Sequence, residues 1–259
     1  MSPETIIWMS FFFLVGLCVG SFLNVVIYRL PLEKSVVSPR SQCPSCGYGI
    51  PWYNNIPILS FLLLRGKCGN CKAPISWRYP LVELLTGILF AAVVWRQSDL
   101  FFQWPAHFFL MSALVASTFI DLDHWIIPDK ITYPGVVIGL LSSLAPGPLS
   151  ILQSVIGLLF GFGILYFVAW IYLTFAKKDG IGGGDIKFLA MVGAFFGIPG
   201  AIITLTLSSI VGSIVGIFLI LFLGKKGKTA IPFGPFLAAG TLCTFLFGAE
   251  LWQWYFQFH

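Results

Sequence analysis

Charged side chains are scarce in this sequence. Only 10% of its 259 residues are charged, against about 25% in an average soluble domain. Hydrophobic residues make up 58% of the chain, and its mean hydropathy is +0.91. Several apolar runs are long enough to cross a hydrocarbon core of about 30 Å. The composition therefore excludes an ordinary soluble enzyme and predicts an integral membrane protein.

Three other features are missing. Residues 1–31 carry no basic n-region and no clear small-residue cleavage site, so we expect a retained first span and not a removed signal peptide. No internal repeat, heptad or low-complexity tract is visible, whereas transporters tend to show pseudo-repeats. A glycine-rich nucleotide fingerprint is also absent, so spacing alone does not locate a site for a nucleotide-like cofactor.

Apolar segments and their charged flanks predict an all-α polytopic membrane protein of about eight transmembrane helices. The predicted spans cover about residues 6–28, 80–95, 105–120, 131–144, 151–176, 186–198, 201–223 and 231–251. An outside N-terminus then places fourteen of the fifteen Lys and Arg on one side, as the positive-inside rule requires. The fourth and sixth spans are short, so seven spans or a re-entrant segment stay open. We divide the chain into a first span (1–28), a polar module (29–79) and a polytopic domain (80–259).

Four of the six cysteines form two C-x2-C pairs in the polar module. Cys43 and Cys46 are followed, after twenty-one residues, by Cys68 and Cys71. This spacing is typical of a structural zinc site in a reducing compartment, and two disulfides in an oxidising one are the alternative. Seven basic residues and a single acidic one in residues 28–79 favour the cytoplasmic side. We therefore predict a zinc module of these four thiolates.

Aspartates are concentrated where apolar runs end. Asp121, Asp123 and Asp129 fall within nine residues, in FIDLDHWIIPDK, and Asp185 follows sixty-four residues after the first of them, in GIGGGDIK. A carboxylate near membrane depth is costly and is by default a functional-site hypothesis. Two carboxylates on separate helix ends can activate a shared water, as an aspartyl hydrolase requires. We predict Asp121 and Asp185 as this catalytic pair.

The neighbours of Asp185 are expected to support the site. Gly182 and Gly184 lack side chains, so they permit close backbone approach and positive φ. Lys187 either neutralises Asp185 or follows the positive-inside bias. The PFGP sequence at 232–235 opens the last span and either lines the site or starts a helix.

Each acid has a structural alternative. Asp129 and Asp185 are placed to cap the fourth and sixth spans, and Asp123, Asp129 and Asp179 are also explained as solvated loop acids. Asp121 and Asp185 taken together favour catalysis. We assign Asp123 and Asp129 to the support of the site.

The two aspartate motifs, in this order and at this separation, resemble those of the type IV prepilin peptidases, polytopic aspartic proteases of the GxGD type. The resemblance implies that Asp121 and Asp185 are catalytic, and that Asp123 and Asp129 match the pattern without belonging to the pair. It implies cleavage of prepilin or pseudopilin leaders at the cytoplasmic face of the bacterial inner membrane. The peptidase step then needs no cofactor.

Three N-terminal segments extend the resemblance to the bifunctional form of that family. They are GSFLNVVIYRLP at 20–31, the four-cysteine segment at 43–71 and ISWRYPLVELL at 75–85. That form also methylates the new N-terminal residue of the cleaved substrate, with S-adenosylmethionine as methyl donor. The resemblance therefore implies a second activity, N-methylation, with S-adenosylmethionine as its cofactor.

Residues for methyl transfer are only candidates. Gly20 is small and permits close helix packing, and Asn24 is polar within the first span. Glu83 enters the second span, where its carboxylate would bind the donor's positive charge or the new α-amine, or pair with Arg78. A packing face with a satisfied amide is an equal alternative for Asn24.

Other functions stay open from the residues alone. These are a peptidase with a purely structural zinc module, a membrane-anchored zinc scaffold without catalysis, and a cation-coupled transporter. A transporter tends to have repeats and broken helices at the midplane, whereas these acids stand at helix ends. We expect prepilin-like substrates and lipid as partners, and no nucleic acid, because basic residues beside a membrane more often reflect topology and anionic lipid.

Overall fold

The computed structural model describes residues 2–177, 182–223 and 231–257, which are mainly helical. The helices are α1 (Pro3–Arg29), α2 (Leu59–Leu63), α3 (Arg78–Arg96), α4 (Trp104–His124), α5 (Asp129–Ser142), α6 (Ile151–Ala176), α7 (Gly183–Leu223) and α8 (Gly234–Gln257). Within the described residues the only β pairing consists of two isolated bridges, in the segment between α1 and α3. The predicted class, an all-helical polytopic membrane protein with a four-cysteine module after its first helix, is confirmed.

The helix count agrees roughly with the eight predicted spans. Six helices of the described chain are long and apolar enough to cross a membrane: α1, α3, α4, α6, α7 and α8. Helix α5 has 14 residues, or roughly 21 Å at 1.5 Å per residue, which is shorter than a hydrocarbon core. The predicted sixth and seventh spans both lie in α7, whose 41 residues are divided into two helical parts by a non-helical residue.

A break inside α7 divides it near the predicted boundary. Gly197 has φ 67° and ψ −167°, a conformation that is practically restricted to glycine. The predicted sixth and seventh spans, 186–198 and 201–223, leave Pro199-Gly200 as the turn between them, but the non-helical residue lies two positions before Pro199. Pro199 follows within the same helix, and its missing N–H removes one further backbone donor there.

The first compact unit comprises Met1–Ala116. Its two long helices, α1 and α3, pack through small residues: a Cβ on Gly16 would lie 2.8 Å from Gly87 Cα, and one on Gly20 would lie 2.7 Å from Glu83 Cα. Such glycines let two helix backbones approach closely inside a membrane. The rings of Phe90 and Phe108 stack at 4.4 Å between centroids and tie the start of α4 to this pair.

The second compact unit comprises Ser117–His259, and within it α7 packs against α5, α6 and α8. Two polar contacts join α7 to α8: the Thr204 and Thr244 hydroxyls are 2.8 Å apart, and Ser208 Oγ donates to the Phe236 carbonyl at 2.9 Å. The Phe188 side chain, in the first half of α7, is fully buried. The N-terminal end of α7, which carries Asp185, is therefore anchored in the core of this unit.

Candidate functional site

Asp121 lies in the last turn of α4 and is only 5% exposed. Its Oδ2 accepts a hydrogen bond from the backbone N–H of Gly234, at 2.8 Å. Gly234 is the first residue of α8, 113 positions further along the chain. A Cβ on Gly234 would lie 2.7 Å from the same oxygen. The start of α8 can approach the carboxylate this closely because residue 234 has no side chain.

Asp185 is the third residue of α7 and is half-buried. The structure brings it close enough to Asp121 for the two carboxylates to interact electrostatically. A Cβ on Gly182 would lie 3.2 Å from Asp185 Oδ2, so Gly182 passes directly beside this carboxylate. The predicted pair thus lies together at the ends of two helices of one unit.

Gly184 permits the close approach of two chain segments. A Cβ there would lie 2.9 Å from Ile127 Cβ and 3.2 Å from the Ile127 backbone nitrogen and oxygen. Ile127 belongs to the short link between α4 and α5 and is buried. The link that follows Asp121 therefore packs against the residue that precedes Asp185.

Lys187 pairs with Asp129, with Nζ 2.6 Å from Oδ1, and its Nζ also lies 5.2 Å from the centroid of the Tyr133 ring. The sequence alone had offered Asp185 as its partner. Asp129 is the first residue of α5, with Pro128 in the N-cap position, so its carboxylate serves this ion pair. The pair connects the starts of α5 and α7.

Asp123 is exposed on the last turn of α4, two residues after Asp121. Successive α-helical residues are about 100° apart around the axis, so the two side chains leave the helix on different sides. Asp179 lies outside the described residues. The sequence left open whether the PFGP segment at 232–235 lines the site or starts a helix. In the structure Gly234 of this segment does both, since it begins α8 and its N–H contacts Asp121.

The four cysteines of the polar module are free thiols whose Sγ atoms all lie within 4.8 Å of one another. Each C-x2-C pair opens a turn closed by backbone hydrogen bonds. The Cys43 N–H donates to the Tyr48 carbonyl at 2.9 Å, and the Cys68 N–H donates to the Ala73 carbonyl at 2.8 Å. Two similar turns therefore present four sulfurs to one point, and this cluster could hold a metal ion.

Electrostatics within the cluster favour a bound cation. Backbone N–H groups of Ser45 and Cys46 lower the pKa of the Cys43 thiol. The Ala73 amide acts in the same direction on Cys71, but the neighbouring thiols, with Cys46 first, and burial outweigh it and raise the pKa of Cys71 to about 11. Close thiolates repel one another, and a metal ion removes that repulsion by binding all of them.

The three candidates for methyl transfer lie together where α1 meets α3. Asn24 Nδ2 donates to the Tyr79 carbonyl at 3.1 Å and to the Gly20 carbonyl at 3.3 Å. Glu83 is 8% exposed, and its Oε2 accepts from the Ile58 N–H at 2.7 Å. Both side chains are therefore engaged with backbone groups, and Glu83 links α3 to the segment between the two cysteine pairs.

Comparison with known proteins places both halves of the chain. Residues 14–97 match the bacterial peptidase A24 N-terminal domain, and residues 108–217 match the type IV leader peptidase family. No solved structure matches the chain.

Curated relatives named "Prepilin leader peptidase/N-methyltransferase" match along most of the chain. The Aeromonas hydrophila protein is 41% identical over 96% of this chain and 94% of its own length, and the Pseudomonas aeruginosa protein is 38% identical over 95% and 92%. The Myxococcus xanthus protein is 44% identical over 84% of this chain, but the match spans only 64% of that relative. With both domain models matched and this identity over nearly the full length of the Aeromonas relative, the chain belongs to the type IV leader peptidase family.

Proposed function

We propose that the chain is a membrane aspartyl endopeptidase that removes the leader of type IV prepilins or pseudopilins and then methylates the new N-terminal residue. The observation that carries the proposal is the pairing of the buried Asp121 with Asp185 at two helix ends. The names of the relatives supply the two activities. Matches to both domain models support the transfer of both activities to this chain.

Asp121 and Asp185 would activate a water held between them. One carboxylate takes a proton from the water while the water oxygen adds to the scissile carbonyl carbon. The other carboxyl group is protonated and donates its proton to the carbonyl oxygen. Breaking of the C–N bond then transfers a proton to the leaving nitrogen. The products are the leader with a new carboxyl end and the mature protein with a free α-amine.

The proposed substrate has a basic leader followed by a hydrophobic helix. Such a helix can remain in the bilayer while the leader reaches carboxylates at the helix ends. Threaded through the eight predicted spans, fourteen of the fifteen basic residues fall on one side, and this positive-inside bias supports a cytoplasmic position for this site and for the cysteine module in the bacterial inner membrane. Lipid and prepilin-like proteins are then the partners.

Zinc is the metal that the cysteine cluster fits best. Four tetrahedral Zn–S bonds of about 2.3 Å place the sulfurs about 3.8 Å apart, and Cys43 Sγ and Cys71 Sγ are separated by 3.8 Å. A site of four thiolates has no open position, so the ion is structural. It would stabilise residues 29–79, a segment with too little apolar core to fold alone.

S-adenosylmethionine, when bound, supplies the methyl group for the new α-amine. The Asn24 amide nitrogen and Glu83 Oε2 are already bonded to the Tyr79 carbonyl and the Ile58 N–H. We therefore propose that these two side chains hold α1, α3 and the cysteine module in place, with Gly20 allowing the helices to approach. We also propose, as functional regions, a first span of residues 1–28, the module of residues 29–79 and a peptidase domain of residues 80–259.

A peptidase with a purely structural cysteine module is the second candidate. The engagement of Asn24 and Glu83 with backbone groups favours it, because it gives both residues a structural role that needs no methyl donor. The transporter and the non-catalytic scaffold are not favoured, since the family and the paired carboxylates both point to hydrolysis.

Purified enzyme, a synthetic prepilin peptide and a labelled methyl donor would test both activities by mass spectrometry. Asp121→Asn and Asp185→Asn should each abolish cleavage while the protein remains folded. Asp99→Asn, at an exposed acid outside the site, is the matched control and should cut normally. Cleavage by either site variant would contradict the aspartyl mechanism, and cleavage without methylation by the wild type would select the second candidate.

A further inference from the structure

Asp121 depends on a residue that lies outside the matched part of the family model. That match ends at residue 217, whereas the hydrogen bond to Asp121 Oδ2 comes from Gly234 at the start of α8. We propose that Gly234 is a positioning residue for the peptidase step: its amide fixes Oδ2 of Asp121 and leaves Oδ1 to act on the water. This inference rests on the proposed catalytic role of Asp121.

Only glycine fits at this position beside an undisturbed Asp121. A Cβ on residue 234 would lie 2.7 Å from Oδ2, 3.0 Å from Cγ and 3.1 Å from Cβ of Asp121. Even alanine would therefore overlap the carboxylate. One of the two must move, and the structure indicates which.

The start of α8 is held more firmly than the carboxylate. The N–H groups of Phe236 and Leu237 donate to the Phe233 carbonyl at 3.0 and 3.1 Å, which closes the first turn around Gly234. The Ser208 hydroxyl of α7 donates to the Phe236 carbonyl at 2.9 Å, and Leu237 is fully buried. A new methyl group at position 234 would accordingly rotate the Asp121 side chain rather than displace the helix.

Rotation of Asp121 would affect the chemical step more than substrate binding. A displacement of about 1 Å from the reactive geometry can reduce a rate by about 100-fold. The hydrophobic helix of the substrate does not depend on this carboxylate for binding. The expected signature is a lower kcat with an unchanged KM.

The competing explanation is that Gly234 is simply a tightly packed glycine. The same helix provides a comparison in Gly240, where a Cβ would meet Ser208 Oγ and would lie 2.7 Å from the Thr204 carbonyl oxygen. Gly240 contacts α7 and no predicted site residue, so its replacement should reduce stability without changing the kcat of the folded enzyme. A Cβ on Gly163 would meet no atom within 4 Å, so this glycine serves as the neutral control.

The test compares Gly234→Ala, Gly240→Ala and Gly163→Ala in the full-length enzyme, with a synthetic prepilin peptide. We expect kcat of Gly234→Ala to fall by about 10- to 100-fold with KM within about twofold of the wild type. Gly240→Ala should lose thermal stability and retain kcat per folded molecule, and Gly163→Ala should match the wild type. The proposal is overturned if Gly234→Ala cuts normally, or if its activity falls only in proportion to its folded fraction.

A stability cycle covers the case in which Gly234→Ala folds poorly. Asp121→Ala removes the carboxylate that the new methyl group would meet, so the melting temperature lost through Gly234→Ala should be largely regained in the Asp121→Ala background. An equal loss in both backgrounds would contradict the proposal. If Asp121→Asn still cleaves, the proposed function itself fails, whereas an inactive Asp121→Asn beside a normal Gly234→Ala removes only the role of Gly234.

Discussion

The carboxylate of Glu83 accepts a hydrogen bond from the backbone N–H of Ile58, with the two atoms 2.7 Å apart. Ile58 has φ 59° and ψ −49°, and the next N–H, that of Leu59, donates back to the Pro57 carbonyl at 2.5 Å. This is the rare γ-turn of positive φ, here centred on a β-branched residue. Such a conformation costs about 1–3 kcal/mol and persists only where its surroundings hold it. Glu83 is one of the groups that hold it.

Glu83→Ala should loosen the cysteine module, whereas Glu83→Gln should preserve it. Alanine leaves the Ile58 N–H without its acceptor, a loss of about 1–3 kcal/mol, whereas the glutamine amide oxygen can still accept. Limited proteolysis of residues 29–79 and metal retention after dilution measure the difference. Glu33→Gln, at an exposed acid of the same segment, is the control.

The glutamine variant also separates the two interpretations of Glu83. If the residue only holds the turn, Glu83→Gln should methylate a cleaved pilin peptide at close to the wild-type rate. A folded Glu83→Gln that loses methylation would instead assign the carboxylate charge to the donor or to the α-amine, as the sequence alone suggested.

Replacing Cys43 and Cys46 together by serine should release the metal. Two of four ligands are then lost, and the module loses the ion that organises it. Elemental analysis should fall from about one metal ion per chain to none, and methylation should decrease more than cleavage. Serine at Cys18 and Cys243, which lie outside the cluster, should change neither. An equal loss of both activities would indicate one cooperative fold, and retained metal would show that these thiols are not the site.

The three glycines before Asp185 should differ in tolerance to alanine. A Cβ at Gly184 would lie 2.9 Å from Ile127 Cβ, and one at Gly182 would lie 3.2 Å from the Asp185 carboxylate, whereas one at Gly183 meets no atom within 4 Å. We expect Gly184→Ala to lose cleavage by about 10-fold or more, on the order of a displaced catalytic group. Gly182→Ala should lose less, and Gly183→Ala should be close to the wild type. Initial rates on a prepilin peptide, corrected for folded protein, give the order, and a Gly183→Ala defect as large as that of Gly184→Ala would contradict it.

The helical class was accessible from the sequence, and Asp121 and Asp185 stood out as candidates, because both inferences depend on local patterns. Apolar run length predicts a membrane helix, and a carboxylate at the end of such a run is unusual enough to be noticed. The four cysteines were accessible for the same reason, since their spacing itself is the signal. Gly197 shows the limit of this reasoning. A proline-glycine pair predicted the break in α7, but the non-helical conformation occurs at a lone glycine two residues before that pair.

Contacts between distant segments were not accessible. The bond from Gly234 to Asp121 joins residues 113 positions apart, and no local pattern specifies which backbone N–H will face a buried acid. The partner of Lys187 was uncertain for the same reason, because Asp185 is near in sequence but Asp129 is near in space. Tertiary packing decides such pairings, and a single sequence read by itself carries no record of that packing.

The ion pair of Lys187 and Asp129 should contribute little to global stability and more to the alignment of α7. The two side chains are 30% and 51% exposed, and pairs of this kind are worth about 0.2–1 kcal/mol. Lys187→Met and Asp129→Asn should each reduce kcat by several-fold, because Lys187 lies two residues after Asp185 and its release lets the start of α7 shift. The double variant should be no worse than either single one, since both remove the same contact.

Salt provides the control for this pair. At about 1 M ionic strength the Debye length is about 3 Å, so the wild type should approach the variants while the variants change little. Kinetics at low and high salt, on a peptide whose leader carries no charge, separate this effect from salt acting on the substrate. A Lys187→Met variant that raises KM alone, independently of salt, would instead place Lys187 in contact with the substrate, and an additive double variant would show that the two residues act separately.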